Sequence, residues 1–327
     1  MNFKAFKMDG LGNDFVIIDN RTDEIKLSSD QIIKICNRSF IGCDQLIIMN
    51  HSEESDADLI FYNSDGSESG ACGNGTRCVA YLISEENNKK EIILRTKSGV
   101  LNSKILDKNL VETVIGIPKT EWKEIPISQK MDTKNLNLKI TDNNKNEYFG
   151  GTAVNVGNPH AIFFVDKLEN FNLKDIGPNL EINKLFPDRC NITLAEIKDS
   201  KKIFVKVWER GAGLTKACGS AACATAFASK INGLTGNEVD IEFELGNLSI
   251  SINKNNSIKM KGVSRDVKVF EVIGRKNANI NKIKNFDKNT KLTNKKIEDL
   301  NKKIETIDKQ FNVLKTLIND LNKQKLD

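Results

Sequence analysis

A five-residue motif occurs twice in the chain, and its repetition constrains the fold more than anything else in the sequence. Ala71-Cys72-Gly73-Asn74-Gly75 returns as Ala217-Cys218-Gly219-Ser220-Ala221, at an offset of 146. The surrounding residues keep nearly the same spacing. Asn13, ahead of an apolar run that ends in Asp19, matches Asn158, ahead of a run that ends in Asp166. Ile60-Phe61-Tyr62-Asn63 before the first cysteine matches Lys206-Val207-Trp208-Glu209 before the second, and Gly99 matches Gly246. Chance similarity does not hold one offset across separated segments, so the chain reads as two homologous halves. Each half is expected to carry strands, a helix, and one cysteine where that helix begins. The fold class is therefore α+β, built from two pseudo-symmetric α/β halves.

Local patterning agrees. Residues 15–18, 58–62, 91–94, 161–165, 203–208 and 239–243 are short runs rich in β-branched and aromatic residues, which predict strands. Residues 29–38, 73–86 and 219–232 predict helices, the last two starting just after a cysteine. All 21 glycines and all five prolines lie at or before Gly274. Their loss beyond it marks a change of architecture. Ile297, Ile304, Phe311 and Ile318 then fall at heptad position a, and Leu300, Ile307, Leu314 and Leu321 at d, predicting a helical, coiled-coil-like extension. The expected organisation is a first half at 1–118 to which 263–274 returns, a second half at 119–262, a linker at 275–296, and a helical tail at 297–327 with capacity for homo-oligomer formation.

Charge and cysteine usage exclude several function classes. The formal net charge is +5, but the residues after Gly274 hold fourteen basic and seven acidic side chains, so the body is slightly acidic. It has no nucleic-acid signature. No apolar run approaches the ~20 residues of a membrane span. Residues Met1 to Lys7 lack the apolar stretch of a secretory signal, and the cysteines are odd in number, seven. Together these predict a cytoplasmic protein with free thiols. Only His51 and His160 are present, which argues against a histidine-rich zinc site.

Two cysteines at two helix starts have a specific chemical use. A helix N-terminus offers unpaired N–H groups and about half a positive charge. It binds carboxylates and is expected to lower a thiol's pKa toward neutrality. If the two starts face each other, a carboxylate sits between them with a thiol on each side. One thiolate then removes an α-proton and the other thiol returns one to the opposite face. A free cysteine is ordinarily a small buried hydrophobe. That reading is assigned to Cys36, Cys43, Cys78, Cys190 and Cys223, and the matched context sets Cys72 and Cys218 apart.

The motifs Met8-Asp9-Gly10-Leu11-Gly12-Asn13-Asp14-Phe15, Asn63-Ser64-Asp65-Gly66-Ser67, Ala71-Cys72-Gly73-Asn74-Gly75-Thr76-Arg77-Cys78, Gly157-Asn158-Pro159-His160 and Trp208-Glu209-Arg210-Gly211 with Ala217-Cys218-Gly219-Ser220 resemble the diaminopimelate epimerase family over residues 1–274. The resemblance implies a diaminopimelate epimerase-like fold and a cofactor-independent enzyme with no metal. Its small-molecule substrate would be LL-2,6-diaminopimelate, converted to the meso form on the way to lysine and peptidoglycan. Cys72 and Cys218 then correspond to the acid/base thiols. Gly73-Asn74 and Gly219-Ser220 correspond to backbone donors for the reacting carboxylate. Asn13, Gln45, Asn63, Asn158 and Asn191 correspond to substrate-binding side chains, Glu209-Arg210 to the pair at the substrate's charged groups, and His160 to a neighbour of the thiols. Two positions depart from the family pattern: Ala221 follows the second Cys-Gly-Ser, and Gly262-Val263-Ser264 replaces a common Gly-Pro-Ala. Rival readings are a proline racemase-like enzyme, whose substrate has one charged end, and a non-catalytic assembly protein. Intact Asn63, Glu209-Arg210 and both cysteines argue against the latter.

Overall fold

The computed structural model describes residues 2–22, 24–70, 72–274 and 280–286. The chain divides into two units, Met1–Ile283 and Lys284–Asp327. The expected helical tail at 297–327 lies outside the described residues.

The first half runs β1 (Asn2–Gly10), β2 (Asn13–Asn20), α1 (Ser29–Cys36), β3 (Gln45–Asn50), β4 (Ala57–Asn63), β5 (Glu68–Ser69), α2 (Gly73–Asn87), β6 (Glu91–Thr96), β7 (Gly99–Asp107) and β8 (Leu110–Gly116). A separate two-stranded sheet follows, β9 (Leu138–Thr141) with β10 (Glu147–Gly150). The second half runs β11 (Thr152–Asn155), β12 (Pro159–Phe164), α3 (Leu173–Glu181), β13 (Asn191–Asp199), β14 (Lys202–Glu209), β15 (Gly213–Thr215), α4 (Gly219–Ile231), β16 (Glu238–Phe243), β17 (Gly246–Ile252) and β18 (Ile258–Val263). Then come β19 (Arg265–Gly274) and β20 (Ile280–Phe286).

The repeat is visible in the pairing. In the first half β2 and β3 are parallel, β3–β4 and β4–β5 antiparallel, β4–β6 parallel, and β6–β7 and β7–β8 antiparallel. In the second, β12 and β13 are parallel, β13–β14 and β14–β15 antiparallel, β14–β16 parallel, and β16–β17 and β17–β18 antiparallel. Two further antiparallel pairings tie the chain together. β18 pairs with β8 across the halves, and β19 pairs with β1, Phe3 opposite Val272.

Each half wraps its sheet around one helix. α2 packs on β1, β2, β6, β7 and β8, and α4 on β11, β12, β13, β16, β17 and β18. Neither helix is amphipathic in the ordinary sense. α4 reads Gly-Ser-Ala-Ala-Cys-Ala-Thr-Ala-Phe-Ala-Ser and is buried almost throughout, as α2 is from Asn74 to Ser84. A helix enclosed on all sides must be apolar or small all round. The alanines of α4 let strands approach it closely, and its core cluster includes Ala221, Ala222, Ala224, Val207, Ile241 and Met260.

Two expectations differ from the structure. A helix at 173–181 is absent from the sequence reading because Gly177-Pro178 reads as a break. Asn172 caps its start, accepting from the Lys174 N–H, and Leu173, Ile176 and Leu180 are buried beneath it. Tertiary packing thus overrides one missing N–H at Pro178. β20 falls within the stretch expected to be a linker. Strand pairing uses backbone groups, so a polar segment can form one without apolar alternation.

Gly177 is fixed by packing: a Cβ there would lie 2.4 Å from Trp208 Cγ and Cδ2. Gly177→Ala therefore overpacks the α3–β14 contact and is expected to lower stability by about 1–3 kcal/mol, read as a fall in the urea midpoint. A midpoint equal to wild type would mean Trp208 is free to move aside.

Candidate active site

α2 and α4 begin alike. Cys72 (φ −142°, ψ 113°) and Cys218 (φ −140°, ψ 117°) occupy the N-cap positions in nearly the same backbone conformation, and neither helix has a side-chain cap. The first-turn N–H groups are therefore left for sulfur or a ligand. Those of Asn74 and Gly75 point at the Cys72 sulfur, and that of Ala221 at Cys218.

The fold brings the two starts together. α2 and α4 touch each other, and Met260 of β18, fully buried, separates their first residues. A Cβ on Gly73 would lie 2.6 Å from Met260 Cε, and one on Gly219 would lie 3.1 Å from Met260 Sδ and 3.0 Å from Asn74 Oδ1. A side chain at either position would have to displace the end of Met260 or the Asn74 amide. Glu209, at the end of β14, joins the thiols electrostatically. It takes a hydrogen bond from Cys218 and one of 2.5 Å from Thr215 Oγ1, and its charge acts on Cys72 as well. Cys218 Sγ also lies 3.3 Å from Ser220 Oγ.

On the first half, Asn13 and Asn74 meet beside Cys72. Asn13 Oδ1 faces Cys72 Sγ at 3.8 Å and accepts from Asn74 Nδ2 at 3.2 Å. Asn13 Nδ2 donates to Asp44 at 3.1 Å. The Asn74 amide is thereby occupied, leaving its backbone N–H as the group available near the sulfur. Gln45 Nε2 donates to Asn63 Oδ1 at 3.0 Å, and Asn63 Nδ2 to Ser67 Oγ at 3.1 Å.

On the second half, Asn158, His160, Asn191 and Arg210 form one hydrogen-bonded group. His160 Nε2 lies 2.9 Å from Asn158 Oδ1, Asn191 Nδ2 donates to Pro159 O at 3.0 Å, and the Arg210 N–H donates to Asn191 Oδ1 at 2.9 Å. The Arg210 guanidinium is exposed and holds Asp188 O at 2.8 Å. His160 is fully buried, and its Nε2 faces these amides, not a sulfur.

Register shows a correspondence that the motif comparison missed. Gln45 lies opposite Asn63 in the β3–β4 pair. Asn191 begins β13 and Glu209 ends β14, with Ile192 opposite Trp208. Gln45 and Asn191 share the offset of 146, so each site side chain of the first half has a partner in the second. Differing residue types at the two positions hid it. Asn63 and Glu209, by the same logic, put an amide on one side and a carboxylate on the other.

The thiols differ from expectation in one respect. Burial pushes the Cys72 thiol up to about 12 and Cys218 well above its ordinary value, and the charge on Glu209 adds to both. The N–H groups of the helix starts act in the opposite sense but do not offset desolvation. Burial thus favours the protonated form of both thiols. Glu209 is itself pushed up by burial. The remaining cysteines, Cys36, Cys43, Cys78, Cys190 and Cys223, are buried and free. Among the described residues no group of three or more His, Cys, Asp or Glu side chains could hold a metal ion, and no helix is long and apolar enough to cross a membrane.

Comparison with known proteins agrees with this geometry. A family model described as diaminopimelate epimerase matches residues 5–120 and 152–267, one block in each half. The chain is 63% identical over 272 residues to a diaminopimelate epimerase of Pelagibacter ubique (strain HTCC1062), covering 83% of this chain and 99% of the relative. It is 40% identical over 257 residues to one of Acidiphilium cryptum (strain JF-5), covering 78% and 91%. Among solved structures, a hydroxyproline epimerase from Agrobacterium vitis aligns with a TM-score of 0.58 at 10% identity, covering 83% of this chain and 91% of that one. A PhzF-family phenazine biosynthesis protein from Bacillus anthracis aligns with a TM-score of 0.58 at 17% identity, covering 84% and 100%. These two share the fold.

Burial, with Arg210 nearby, pushes the His160 imidazole down to about 3. The unfolded chain binds this proton near pH 6.5 and the folded chain does not, so stability falls as pH drops through that window. Wild type is expected to lose up to about 1.4 kcal/mol per pH unit more than His160→Asn between pH 6 and pH 4. Urea unfolding at several pH values reads this, and parallel slopes would exclude His160 as the titrating group.

Proposed function

The chain belongs to the diaminopimelate epimerase family, and we propose that Cys72 and Cys218 carry its reaction as a pair of opposed acid/base thiols. Its activity is the epimerisation of LL-2,6-diaminopimelate to the meso isomer. The observation that carries the two-thiol reading is the meeting of both cysteine-bearing helix starts at Met260.

In this reading the substrate's reacting carboxylate lies on the first-turn N–H groups of α2 and α4, at Gly73-Asn74 and Gly219-Ser220. Two helix N-termini stabilise the charge that spreads into the carboxylate as the Cα–H bond breaks. One sulfur, as thiolate, takes the α-proton. The opposite thiol gives its proton to the other face of the same carbon, and the pair ends with its protonation states exchanged. No redox change and no added cofactor is needed. The α-ammonium of the substrate supplies the positive charge that a thiolate requires in so dry a site, with Glu209 as the ammonium's partner. Asn13, Gln45, Asn63, Asn158 and Asn191 orient the substrate, their amides serving both carboxylate and ammonium. Arg210 takes the distal carboxylate. His160, neutral and buried, holds Asn158. We place the reaction in the cytoplasm.

The heptad at 297–321 supports a separate role for the tail. Eight apolar seam residues favour burial against another copy of the same helix, with the catalytic body independent of it.

Two measurements check these readings. Cys72→Ala and Cys218→Ala should each stay folded and lose at least ~1,000-fold in epimerisation, with turnover assayed on diaminopimelate and on proline in deuterated water. Near-wild-type turnover by either variant would overturn the two-thiol mechanism, and activity on proline alone would move the substrate to the racemase reading. Truncation after Gly274 should lower the mass seen by light scattering and leave turnover intact. Unchanged mass would reject tail-mediated assembly.

A further inference from the structure

One charged side chain near the thiols is not used by the mechanism above. Arg77 lies one turn into α2 and is 0% exposed, the largest fully buried side chain among the described residues. An arginine so placed ordinarily pairs with a carboxylate. No ion pair to Arg77 occurs among the described residues, and its Nε is buried without a partner. Its two terminal nitrogens go to the groups that define the helix starts. Nη2 donates to Asn74 Oδ1 at 2.9 Å, and Nη1 contacts Met260 Sδ at 3.3 Å.

Both contacts lead onward. Asn74 donates to Asn13 Oδ1, which faces Cys72 Sγ. Asn74 Oδ1 and Met260 Sδ are also the atoms nearest a Cβ on Gly219, at 3.0 and 3.1 Å. The guanidinium thus reaches the start of α2 through Asn74 and the start of α4 through Met260. Its slot is made by two glycines. A Cβ on Gly262 would lie 3.2 Å from Arg77 Cζ, and one on Gly10 would lie 3.4 Å from Nη2.

Burial of an uncompensated cation is expensive and calls for a reason. When substrate is bound, a carboxylate and a thiolate arrive within the same closed volume. We propose that Arg77 is a positioning residue of the epimerisation. It locks the two helix starts at their working separation through Asn74 and Met260, and it supplies a fixed buried positive charge for the anionic state of Cys72. This rests on the two-thiol reading above. The other charged or titratable groups that face these residues are Glu209 from β14, Cys223 from α4 and Cys78 on α2, with Asp9 of β1 acting on Cys78.

The test compares Arg77→Met, which removes the charge, and Arg77→Lys, which keeps it but cannot bridge two acceptors in the same plane. Each full-length variant is checked by circular dichroism and urea unfolding. Three quantities are then read: kcat and KM separately, the pH profile of kcat/KM, and the pH dependence of Cys72 alkylation by iodoacetamide, followed on the Cys72 peptide by mass spectrometry. Arg77→Met should lower kcat about 100-fold with a smaller change in KM. It should also move both the acid limb of the profile and the alkylation midpoint upward by about one pH unit or more. Arg77→Lys should keep the wild-type midpoints and lose kcat by about tenfold. A folded Arg77→Met with unmoved midpoints would reduce Arg77 to a structural residue and overturn the electrostatic part. A wild-type kcat in Arg77→Lys would overturn the tether. If Arg77→Met does not fold, Arg77→Gln takes its place in the same measurements. Alkylation does not depend on turnover, so failure of this proposal is distinct from failure of the two-thiol mechanism, which active Cys72→Ala would reveal.

Discussion

Two helix N-termini brought against one methionine form an unfavourable arrangement until an anion joins them. Each contributes about half a positive charge, and Arg77 adds a full one directly behind. Like partial charges at close range repel, so the separation must be imposed by the rest of the molecule. The structure imposes it through Met260, wedged between Gly73 and Gly219. The β18–β8 ladder, with Met260 opposite Thr113, anchors that methionine to both halves at once. The site is therefore preorganised for negative charge, and Glu209 and Asp44 are nearby protein groups that offer it.

This constraint explains the thiols. A helix start alone favours thiolate, and the motif Ala-Cys-Gly at two such starts invites that conclusion. The structure shows why it fails in the empty site. Cys218 is buried, Cys72 is half-buried, and Glu209 faces both. Desolvation of an anion in a dry pocket exceeds the pull of a few N–H groups.

Much of the fold and much of the site were legible in the chain because duplication writes them twice. The offset of 146 that relates Cys72 to Cys218 also relates Asn63 to Glu209, and Asn13 matches Asn158 at 145. What escaped has physical causes. α3 hides behind Gly177-Pro178, whose break is overridden by Trp208 packing on Gly177. The Gln45–Asn191 correspondence is invisible by residue type and becomes plain only when β3–β4 and β13–β14 are laid in register. Arg77 sits in a motif whose cysteine draws the eye, and only burial without a carboxylate distinguishes it from a surface arginine on a helix.

Divergence between the halves completes the logic. An exact repeat would present two identical faces to the substrate, whereas epimerisation at one of two chemically similar carbons requires that the enzyme tell one end from the other. The halves keep the same cysteine, glycine and strand register at the two helix starts. They differ at neighbouring positions: Asn63 against Glu209, Gln45 against Asn191, and Asn74 against Ser220. The last difference carries a structural consequence. Asn74 can reach both Asn13 and Arg77, while Ser220 reaches only its own Cys218. A buried cation therefore belongs to the α2 side, and Glu209 with Thr215 to the α4 side. Cys72 thus has the Arg77–Asn74–Asn13 chain beside it, and Cys218 has the Glu209 carboxylate.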